Sequence, residues 1–365
     1  MKYFNILIKP ASSKCNLRCK YCFYYDVVSH RNIKDYGIMS DDTMKKIIDR
    51  VFDYFDEETT ITFSFQGGEP TVAGISYFEK FIEYVNSRRK EYHIINYAIQ
   101  TNGYLIDKKW AKLFKDNNFL VGVSLDGFKE NHDSVRVDNN LKGTFDRVFK
   151  SLELLKKYKV DLNILTVLTN QLSKKAEELF EFYLKNDLKV IQLIPCLEDF
   201  DSESQYSLKP ENFYKFYDKL FPLWFEKLKK GEYISFNYFD NLITLFMGKM
   251  PFQCGSLGFC AMQFVTEASG NVYPCDFYCL DQYCVGNFEK DSITDLLKSD
   301  RLKMFLKEEK RMCSLCKSCK FKGICNGQCK RMNQAYFNED YCALYKFMSK
   351  YEEELAYIAQ FYQNN

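Results

Sequence analysis

The sequence is poor in histidine, in long apolar runs and in excess charge of either sign. Only three histidines, His30, His93 and His132, occur among 365 residues, and we expect each on the surface or in a loop rather than acting as a base. No stretch approaches the roughly 18 apolar residues that a membrane-spanning helix needs. The 51 basic and 49 acidic side chains leave a formal charge of +2, which is not the electrostatic signature of a nucleic-acid-binding protein. We therefore expect neither a membrane location nor a nucleic-acid partner.

The amino terminus lacks a secretion signal. Its short apolar run, from Tyr3 to Ile8, is interrupted by Lys9 and Pro10 before a signal-peptide core can form. We therefore expect a cytoplasmic protein, and in a reducing cytoplasm clusters of cysteine are metal or redox sites rather than disulfides. The 15 cysteines are too many for an ordinary intracellular chain, and an odd count would leave one thiol over, so metal ligation is the first hypothesis.

The first two-thirds of the chain alternates short β-branched and aromatic runs with longer amphipathic stretches. This pattern is typical of repeated βα units around a parallel sheet, so we predict a barrel-like α/β domain with six βα repeats. The predicted strands are Phe4–Lys9, Thr60–Phe65, Ile94–Gln100, Leu120–Leu125, Asp161–Leu168 and Lys189–Ile194. The predicted helices are Asp41–Phe55, Ile75–Arg89, Lys108–Asn117, Thr144–Tyr158 and Lys174–Lys185, followed by a helical connection at Lys209–Lys229.

After about Ser235 the pattern changes to short hairpins, loops and cysteines. Eleven of the 15 cysteines lie between Cys254 and Cys342. This change of composition predicts two domains, residues 1–235 and residues 236–365. We expect the second domain to be organised by metal rather than by a conventional core.

The first cysteine constellation, Cys15-Asn-Leu-Arg-Cys19-Lys-Tyr-Cys22, follows the first predicted strand. An α/β barrel places its active-site loops at that end of its strands. Three thiolates can bind three irons of a [4Fe–4S] cluster and leave the fourth iron open for a small molecule, as a catalytic metal site requires. The alternatives are a zinc site or unligated buried thiols. Zinc would need a fourth nearby ligand, and His30 is the only candidate in the loop.

The C-x3-C-x2-C spacing, with Tyr21 before the last cysteine, resembles the cluster loop of the radical S-adenosylmethionine (radical SAM) superfamily. Gly67-Gly68-Glu69-Pro70, directly after the second predicted strand, is similar to a glycine-rich segment of the same superfamily, although alone it would indicate only a turn. The resemblance implies a partial (β/α)6 TIM-like barrel in which the open iron chelates S-adenosylmethionine. It also implies that one electron from the cluster cleaves this cofactor to methionine and a 5′-deoxyadenosyl radical.

A second constellation contains the remaining candidate ligands. Cys254, Cys260 and Cys275 are followed by four cysteines with C-x2-C-x5-C-x3-C spacing and then by Cys342. Eight cysteines can ligate two [4Fe–4S] clusters completely. The run from Cys260 onward resembles the seven-cysteine pattern of SPASM domains, which are small α+β domains on radical SAM enzymes that modify peptides. By that resemblance the inner auxiliary cluster is held by Cys254, Cys260, Cys275 and Cys329, and the outer one by Cys316, Cys319, Cys325 and Cys342.

Two alternatives stay open in this region. Cys313-x2-Cys316 is also a possible ligand pair, although the family spacing favours Cys316, and a zinc ribbon is a second interpretation because CxxC pairs are also zinc signatures. Eleven Lys or Arg against three Asp or Glu in Lys298–Arg331 indicate either a solvated helix face or a surround that offsets the negative charge of a cluster. The cysteines without an assigned role are expected to be buried inert thiols: Cys196, Cys279, Cys284 and Cys313.

Five longer segments resemble the anaerobic sulfatase-maturating enzymes, in matching order over essentially the whole chain. They are Ile6–Cys22, Phe65–Gly74, Gln100–Gly103, Val123–Gly127 and Tyr273–Tyr278. The resemblance implies that a cysteine or serine of a sulfatase, within a Cys/Ser-x-Pro-x-Arg segment, is converted to Cα-formylglycine. It further implies S-adenosylmethionine and three [4Fe–4S] clusters as cofactors, a flavodoxin- or ferredoxin-like electron donor, and a monomer.

This chemistry needs three functions at one place. Oxidising a Cβ carbon removes a hydrogen atom, a proton and an electron, so a radical source, a base and an electron acceptor have to converge. The resemblance assigns the base to Asp276, which directly follows Cys275; its alternative role is to support that ligand or the loop. The residues implied to line the peptide site are Tyr24 and Gln66. The residues implied to contact S-adenosylmethionine are Tyr21, Gly68, Ser124, Arg136 and Leu197.

Two other functions fit parts of the sequence. A SPASM maturase that forms thioether or other cross-links in a ribosomal peptide is the alternative enzyme. Many such maturases carry an amino-terminal leader-binding domain, and we expect none here because the first predicted strand begins at Phe4. A non-catalytic electron carrier or metal-binding interaction protein would leave the barrel and the three-cysteine loop without a purpose. Release of 5′-deoxyadenosine distinguishes an enzyme from such a carrier.

Overall fold

A computed structural model describes residues 2–364 of the chain. Its strands are β1 (Lys2–Ile8), β2 (Thr59–Phe65), β3 (His93–Thr101), β4 (Phe119–Ser124), β5 (Asp161–Leu168), β6 (Val190–Pro195), β7 (Ser235–Phe236), β8 (Val265–Thr266), β9 (Asn271–Tyr273) and β10 (Gly286–Asn287). Its α-helices are α1 (Phe23–Ser29), α2 (Asp41–Tyr54), α3 (Ile75–Arg88), α4 (Lys108–Asp116), α5 (Lys129–Val135), α6 (Phe145–Lys157), α7 (Ala176–Lys185), α8 (Pro210–Lys229), α9 (Asn237–Phe246), α10 (Ile293–Lys298), α11 (Asp300–Lys307), α12 (Lys322–Cys325), α13 (Ala343–Lys350) and α14 (Glu352–Asn364). No helix within these described residues combines the length and the apolar character that crossing a membrane requires.

The described chain divides into two compact units that interleave in sequence. The first unit contains the residues up to Leu125 together with residues 132–162 and 262–308. The second unit contains residues 126–131, residues 163–261 and the residues from Glu309 onward. The predicted domains, residues 1–235 and 236–365, divide the chain in a different way from these two units, and that boundary stays a prediction.

Seven strands of the first unit form one mixed sheet in the order β10-β9-β8-β1-β2-β3-β4. Strands β1 to β4 are parallel, and β8 pairs with the outer edge of β1, also in parallel, with Leu7 opposite Val265. Strand β9 is antiparallel to both of its neighbours, β8 and β10. Parallel neighbours need long crossover connections, which the segments containing α1 to α4 supply. The carboxyl ends of β1 to β4 therefore lie at one edge, where the loops after β1 and β2 begin.

The second unit contains a smaller parallel arrangement of β5, β6 and β7. Ile164 lies opposite Ile191, and Ile191 lies opposite Phe236. The 20-residue helix α8 buries one aromatic face in this unit. On that face the ring of Phe221 lies 5.6 Å from the ring of Phe347 on α13, a separation at which aromatic pairs attract each other.

Local signals explain why the helices beside the sheet begin where they do. Ser40 precedes α2, and its side chain accepts a hydrogen bond of 3.0 Å from the backbone N–H of Thr43. Met44, Ile47 and Val51 then recur at spacings of three and four residues and are all buried. Amphipathic periodicity of this kind anchors a helix on a sheet.

The six predicted barrel strands are all present, with bounds that agree to within two residues. The chain after Ser235 contains α9 to α14 and is more helical than the expected short hairpins and loops. Helix α1 was not predicted either, because its seven residues are too few to show a helical period.

Two of the three histidines are not where the sequence suggested. His30 is exposed, but His93 lies within β3 and His132 within α5, and both are buried. The expectation of surface or loop positions is therefore wrong for these two residues. Burial is tolerated at His93 because one ring nitrogen contacts the carbonyl oxygen of Phe55 at 3.0 Å and the other accepts from the Lys90 N–H at 3.2 Å.

Candidate active site

The three-cysteine loop after β1 is anchored to the first unit on both sides of Cys19. The N–H of Arg18 donates to the carbonyl oxygen of Val137 at 2.7 Å, and the N–H of Lys20 donates to that of Val135 at 2.9 Å. These bonds resemble a short strand pairing and fix the backbone without any metal. Backbone hydrogen bonds within the protein therefore fix the loop that carries the three thiols.

The glycine-rich segment after β2 packs directly against the start of this loop. The N–H of Gly68 donates to the carbonyl oxygen of Ser12 and the N–H of Glu69 donates to that of Lys14, both at 2.9 Å. A Cβ atom on residue 68 would lie 2.3 Å from the Lys14 carbonyl oxygen, so only glycine fits this close approach. The segment is therefore a support for the cysteine loop as well as a turn.

Glu69 joins the segment to the next strand from a fully buried position. Its carboxylate accepts hydrogen bonds from Thr71, from the Thr101 hydroxyl at 2.7 Å and from the Asn102 N–H at 2.7 Å. Burial raises the pKa of Glu69, although these donors partly oppose the effect. The Asn102 amide also donates to the Cys15 sulfur at 3.8 Å, so the network reaches the first candidate ligand.

A cavity of about 250 Å³ is lined by the three thiols together with Tyr24 and Gly68. Burial, and next the Glu69 carboxylate, raise the pKa of Cys15 to about 12, so its thiolate needs a nearby positive charge. A metal supplies that charge, and binding it would release the proton. The donor set of three thiols and the adjacent space fit an iron–sulfur cluster with one open iron.

Arg136 lies beside this loop. Its guanidinium donates to the Cys19 sulfur at 3.7 Å, and its Cζ atom lies 5.6 Å from the ring centroid of Tyr21. Two of the residues implied to contact S-adenosylmethionine are thus in contact with each other and with the cluster loop. A guanidinium in this position can pair with a carboxylate or with ribose oxygens.

Asp276 is held by the ends of two barrel strands. Lys9, directly after β1, donates to Oδ1 of Asp276, and Gln66, directly after β2, donates to Oδ2 at 2.9 Å. The Lys9 Nζ atom also lies 3.9 Å from the ring centroid of Tyr24. The structure therefore brings together the candidate base and both residues implied to line the peptide site.

A buried ion pair extends this group behind Tyr24. The Tyr24 hydroxyl donates to Glu267, and Arg31 donates to the same carboxylate at 2.6 Å. The side chains of Arg31 and Glu267 are both completely buried. Burial, and next the Glu267 charge, raise the pKa of Tyr24 well above its ordinary value, so its hydroxyl keeps its proton. Glu267 thereby fixes the orientation of Tyr24.

The second unit contains two groups of candidate ligands. Burial, and then the charges of Cys329 and Cys260, raise the pKa of Cys254 to about 11, which indicates that these three cysteines are near one another. The fourth residue assigned to the inner cluster, Cys275, belongs to the first unit. In the outer group, burial raises the pKa of Cys342 to about 12; the Tyr345 N–H opposes this effect, and the charges of Cys325, Cys313 and Cys316 add to it.

Hydrogen bonds at sulfur can be described for four of the eleven assigned ligands and for the four other cysteines. Cys15, Cys19, Cys329 and Cys342 accept N–H donors, from Leu17, Arg136, Arg331 and Tyr345 respectively. Each cysteine left unassigned instead donates its S–H to a backbone carbonyl: Cys196 to Leu197, Cys279 to Cys275, Cys284 to Gly286 and Cys313 to Glu339. An acceptor sulfur suits a cluster thiolate and a donor sulfur suits a protonated thiol.

Lys310 lies between the two groups of the second unit. Its ammonium donates to the carbonyl oxygens of Gly258, Asn326 and Gln328. Burial lowers the pKa of Lys310, opposed by the negative charges of nearby cysteines that include Cys260 and Cys325. Within residues 2–364 no three His, Cys, Asp or Glu side chains converge closely enough to hold a single metal ion. A [4Fe–4S] cluster spaces its thiolates more widely, because each binds a different iron.

Ser124 and Leu197 are the two remaining residues implied to contact S-adenosylmethionine. Ser124 ends β4 in the first unit, and Leu197 is buried in the second unit, so their roles stay predictions. Sequence reasoning missed Lys9, Arg31 and Glu267. A lysine at the carboxyl end of a predicted parallel strand is the signal that could have identified Lys9, since barrel enzymes place functional side chains there.

Two protein-family models match this chain. The Radical SAM superfamily model matches residues 10–183, and the SPASM model, described as an iron-sulfur cluster-binding domain, matches residues 259–320. Together with the parallel strands, the three-cysteine loop and the second cysteine set, these matches define a radical SAM enzyme with a SPASM domain. The match to an iron–sulfur model favours iron over the zinc alternative.

Relatives that match this chain over most of their length identify its family within this class. The cysteine-type anaerobic sulfatase-maturating enzyme of Clostridium novyi (strain NT) is 41% identical over 99% of this chain and 98% of its own length. The serine-type enzyme of Bacteroides thetaiotaomicron is 28% identical over 89% of this chain and 82% of its own length. The chain belongs to the family of anaerobic sulfatase-maturating enzymes. The expected family, fold class and enzyme class are confirmed.

Solved structures agree with this assignment. The structure described as native anSMEcpe with bound AdoMet has a TM-score of 0.89 and 37% identity, and the match covers 98% of this chain and 99% of that one. The same protein with AdoMet and the Kp18Cys peptide matches with the same TM-score of 0.89. That relative therefore binds S-adenosylmethionine and a peptide on the fold that this chain shares.

Proposed function

We propose that this chain converts a cysteine of a sulfatase polypeptide into Cα-formylglycine by radical SAM chemistry. The observation that carries the proposal is the position of Tyr24. This residue lines the cavity of the three-cysteine loop and also packs on the Lys9 ammonium that contacts Asp276. The proposed radical source at the loop and the proposed base at Asp276 are thus both close to the Tyr24 side chain.

The oxidation removes a hydrogen atom, a proton and an electron from the substrate side chain. When bound, the loop cluster and S-adenosylmethionine supply the hydrogen-abstracting radical, and the auxiliary clusters accept the electron. The contribution of the chain itself is to accept the proton, which we assign to the Asp276 carboxylate. Gln66 and Tyr24 are proposed to line the peptide site beside it.

We assign eleven cysteines to three [4Fe–4S] clusters. The loop cluster is held by Cys15, Cys19 and Cys22. The inner auxiliary cluster is held by Cys254, Cys260, Cys275 and Cys329, and the outer one by Cys316, Cys319, Cys325 and Cys342. N–H donors at the sulfurs of Cys15, Cys19, Cys329 and Cys342 support the assignment of these four, and the donor role of the Cys313 thiol supports Cys316 as the ligand.

The residues proposed to contact S-adenosylmethionine are Tyr21, Gly68, Ser124, Arg136 and Leu197. Contacts of Gly68 and Arg136 with the cluster loop support their assignment. No such contact bears on Ser124 or Leu197, which are proposed from the family resemblance.

The proposed substrate is a polypeptide with a Cys-x-Pro-x-Arg segment. Cysteine is favoured over serine because the cysteine-type relative is 41% identical to this chain and the serine-type relative 28%. A flavodoxin- or ferredoxin-like protein is the proposed electron donor. We propose that the enzyme acts as a monomer in the cytoplasm.

The test is an anaerobic reaction of iron-reconstituted protein with a Cys-x-Pro-x-Arg peptide, followed by mass analysis. Matched peptides with serine or alanine at the target position are the controls. We expect 5′-deoxyadenosine and a peptide aldehyde with the cysteine peptide, less with serine and none with alanine. A cross-linked peptide, or S-adenosylmethionine cleavage with no aldehyde from either the cysteine or the serine peptide, would overturn the proposal.

A further inference from the structure

Lys9 is a lysine without access to solvent. It directly follows β1, and its side chain is 0% exposed. Its backbone N–H donates to the carbonyl oxygen of Thr266 at 2.8 Å, so β8 fixes its position. Gly67, at a φ of +131°, leaves room for the lysine stem, because a Cβ on residue 67 would lie 3.1 Å from the Lys9 Cβ.

The ammonium of Lys9 touches two proposed participants in the reaction. It donates to Oδ1 of Asp276 and lies 3.9 Å from the ring centroid of Tyr24. Gln66 donates to the other carboxylate oxygen of Asp276 at 2.9 Å. Each oxygen therefore receives one donor from the protein, and the carboxylate cannot rotate without breaking one of the two bonds.

A buried lysine charge is costly, so its retention here calls for a reason. Taking an ammonium out of water is unfavourable unless it is paired and hydrogen-bonded. Burial lowers the pKa of Lys9, but the charge of Asp276 and then that of Glu267 oppose this effect, and the pKa is raised overall. The side chain is therefore an ammonium at neutral pH, and an apolar residue would fill the same space without the desolvation cost.

We propose that Lys9 is a positioning residue for the proton-removal step. It orients the Asp276 carboxylate and the Tyr24 ring, and it leaves the second lone pair of each carboxylate oxygen available to the substrate. This inference rests on the proposed function and adds a residue to it. Lys9 acts through Asp276, so it has no part in forming the radical or in hydrogen-atom abstraction.

The test compares Lys9→Met with the wild-type enzyme on a Cys-x-Pro-x-Arg peptide deuterated at the target Cβ. We expect deuterium to enter 5′-deoxyadenosine as in the wild type, while formylglycine formed per 5′-deoxyadenosine falls by about 10²-fold, the typical effect of misplacing a reacting group by about 1 Å. Lys2→Met is the matched control, because Lys2 lies at the opposite end of β1 and pairs with Glu57 at the surface. Its ratio should equal that of the wild type.

A merely structural role for Lys9 gives a different result. Iron content and deuterium transfer would then fall together with formylglycine, and the product ratio would stay at the wild-type value, which overturns the proposal. Lys9→Arg keeps the charge but places its donors differently, so we expect it to recover part of the ratio and to remain about fivefold below wild type. If Lys9→Met does not fold, an Lys9→Arg ratio within about twofold of wild type overturns the proposal. Absence of formylglycine from the wild type would instead refute the proposed function.

Discussion

Replacing Gly68 with alanine tests how closely the glycine-rich segment has to pack against the cysteine loop. The added Cβ would lie 2.3 Å from the Lys14 carbonyl oxygen and 2.8 Å from the carbonyl carbons of Ser13 and Lys14, whereas ordinary contacts begin at 3.4 Å. All three atoms belong to the backbone, so no side-chain rotation relieves the overlap. The loop therefore has to withdraw by about 1 Å.

The cost of this withdrawal follows from the contacts that it disturbs. Overpacking against a rigid wall costs about 1–3 kcal/mol. The movement also stretches the two 2.9 Å backbone hydrogen bonds, from Gly68 to Ser12 and from Glu69 to Lys14, each worth about 1 kcal/mol. The expected total is about 3–5 kcal/mol, which lowers the population of the native loop by roughly 10²- to 4 × 10³-fold, since each 1.4 kcal/mol is tenfold.

The assay measures bound iron, S-adenosylmethionine affinity and 5′-deoxyadenosine release in the Gly68→Ala protein. We expect S-adenosylmethionine cleavage to fall by at least about 10²-fold while the iron of the auxiliary clusters persists. Gly323→Ala is the matched control, because a Cβ there meets no atom within 4 Å. Wild-type affinity and cleavage in Gly68→Ala would refute the reasoning and show that the loop adapts without loss.

Three further substitutions address the rest of the site. Asp276→Asn keeps the side-chain shape but cannot accept a proton at neutral pH, so 5′-deoxyadenosine should still appear while the formylglycine yield drops about 10²-fold or more; undiminished peptide oxidation would remove Asp276 from the mechanism. Replacing Cys15, Cys19 and Cys22 together with alanine should lower bound iron from about twelve to about eight per chain and abolish S-adenosylmethionine cleavage. Loss of all iron would show instead that the protein folds as one metal-dependent unit. Lys310→Met removes a positive charge near the proposed auxiliary clusters, so it should disfavour their reduction. We expect their reduction potentials to fall by tens of millivolts in an EPR-monitored redox titration, where about 1.4 kcal/mol corresponds to 59 mV for one electron. Lys310→Arg keeps the charge and should leave the potentials unchanged. Unchanged potentials in the methionine variant would show that the Lys310 charge does not influence the clusters.

The residues of the site differ in how far a sequence can predict them. The three-cysteine loop and the segment around Gly68 are local patterns, because ligand spacing and turn chemistry depend on neighbouring residues. Lys9 and Glu267 acquire their roles only when β8 lies against β1, since that pairing buries both. In the sequence alone Lys9 is the charge that ends an apolar run, and nothing local shows that a carboxylate will meet it.

The four unassigned cysteines are a second example of what the sequence alone does not predict. Spacing separates eleven candidate ligands from four other thiols, but it does not say what those four do. Their S–H donors reach backbone carbonyls, as at Cys279 and Cys313, and each such bond depends on how a turn folds around the sulfur. Cys196, Cys279 and Cys313 are buried as expected, whereas Cys284 is only half-buried, and the inertness of these thiols stays a prediction.

The pairing of β1 with β8 has a consequence for synthesis on the ribosome. Leu7 lies opposite Val265, so the outer edge of β1 stays unpaired until the ribosome has added about 260 residues. At roughly 5–20 residues per second, this takes about 13–50 s. An unpaired strand edge is a template for pairing with other chains. The nascent protein therefore carries an unpaired edge on its amino-terminal strand until the β8–β9 hairpin emerges, and a chaperone that covered this edge would prevent its pairing with other chains during that time.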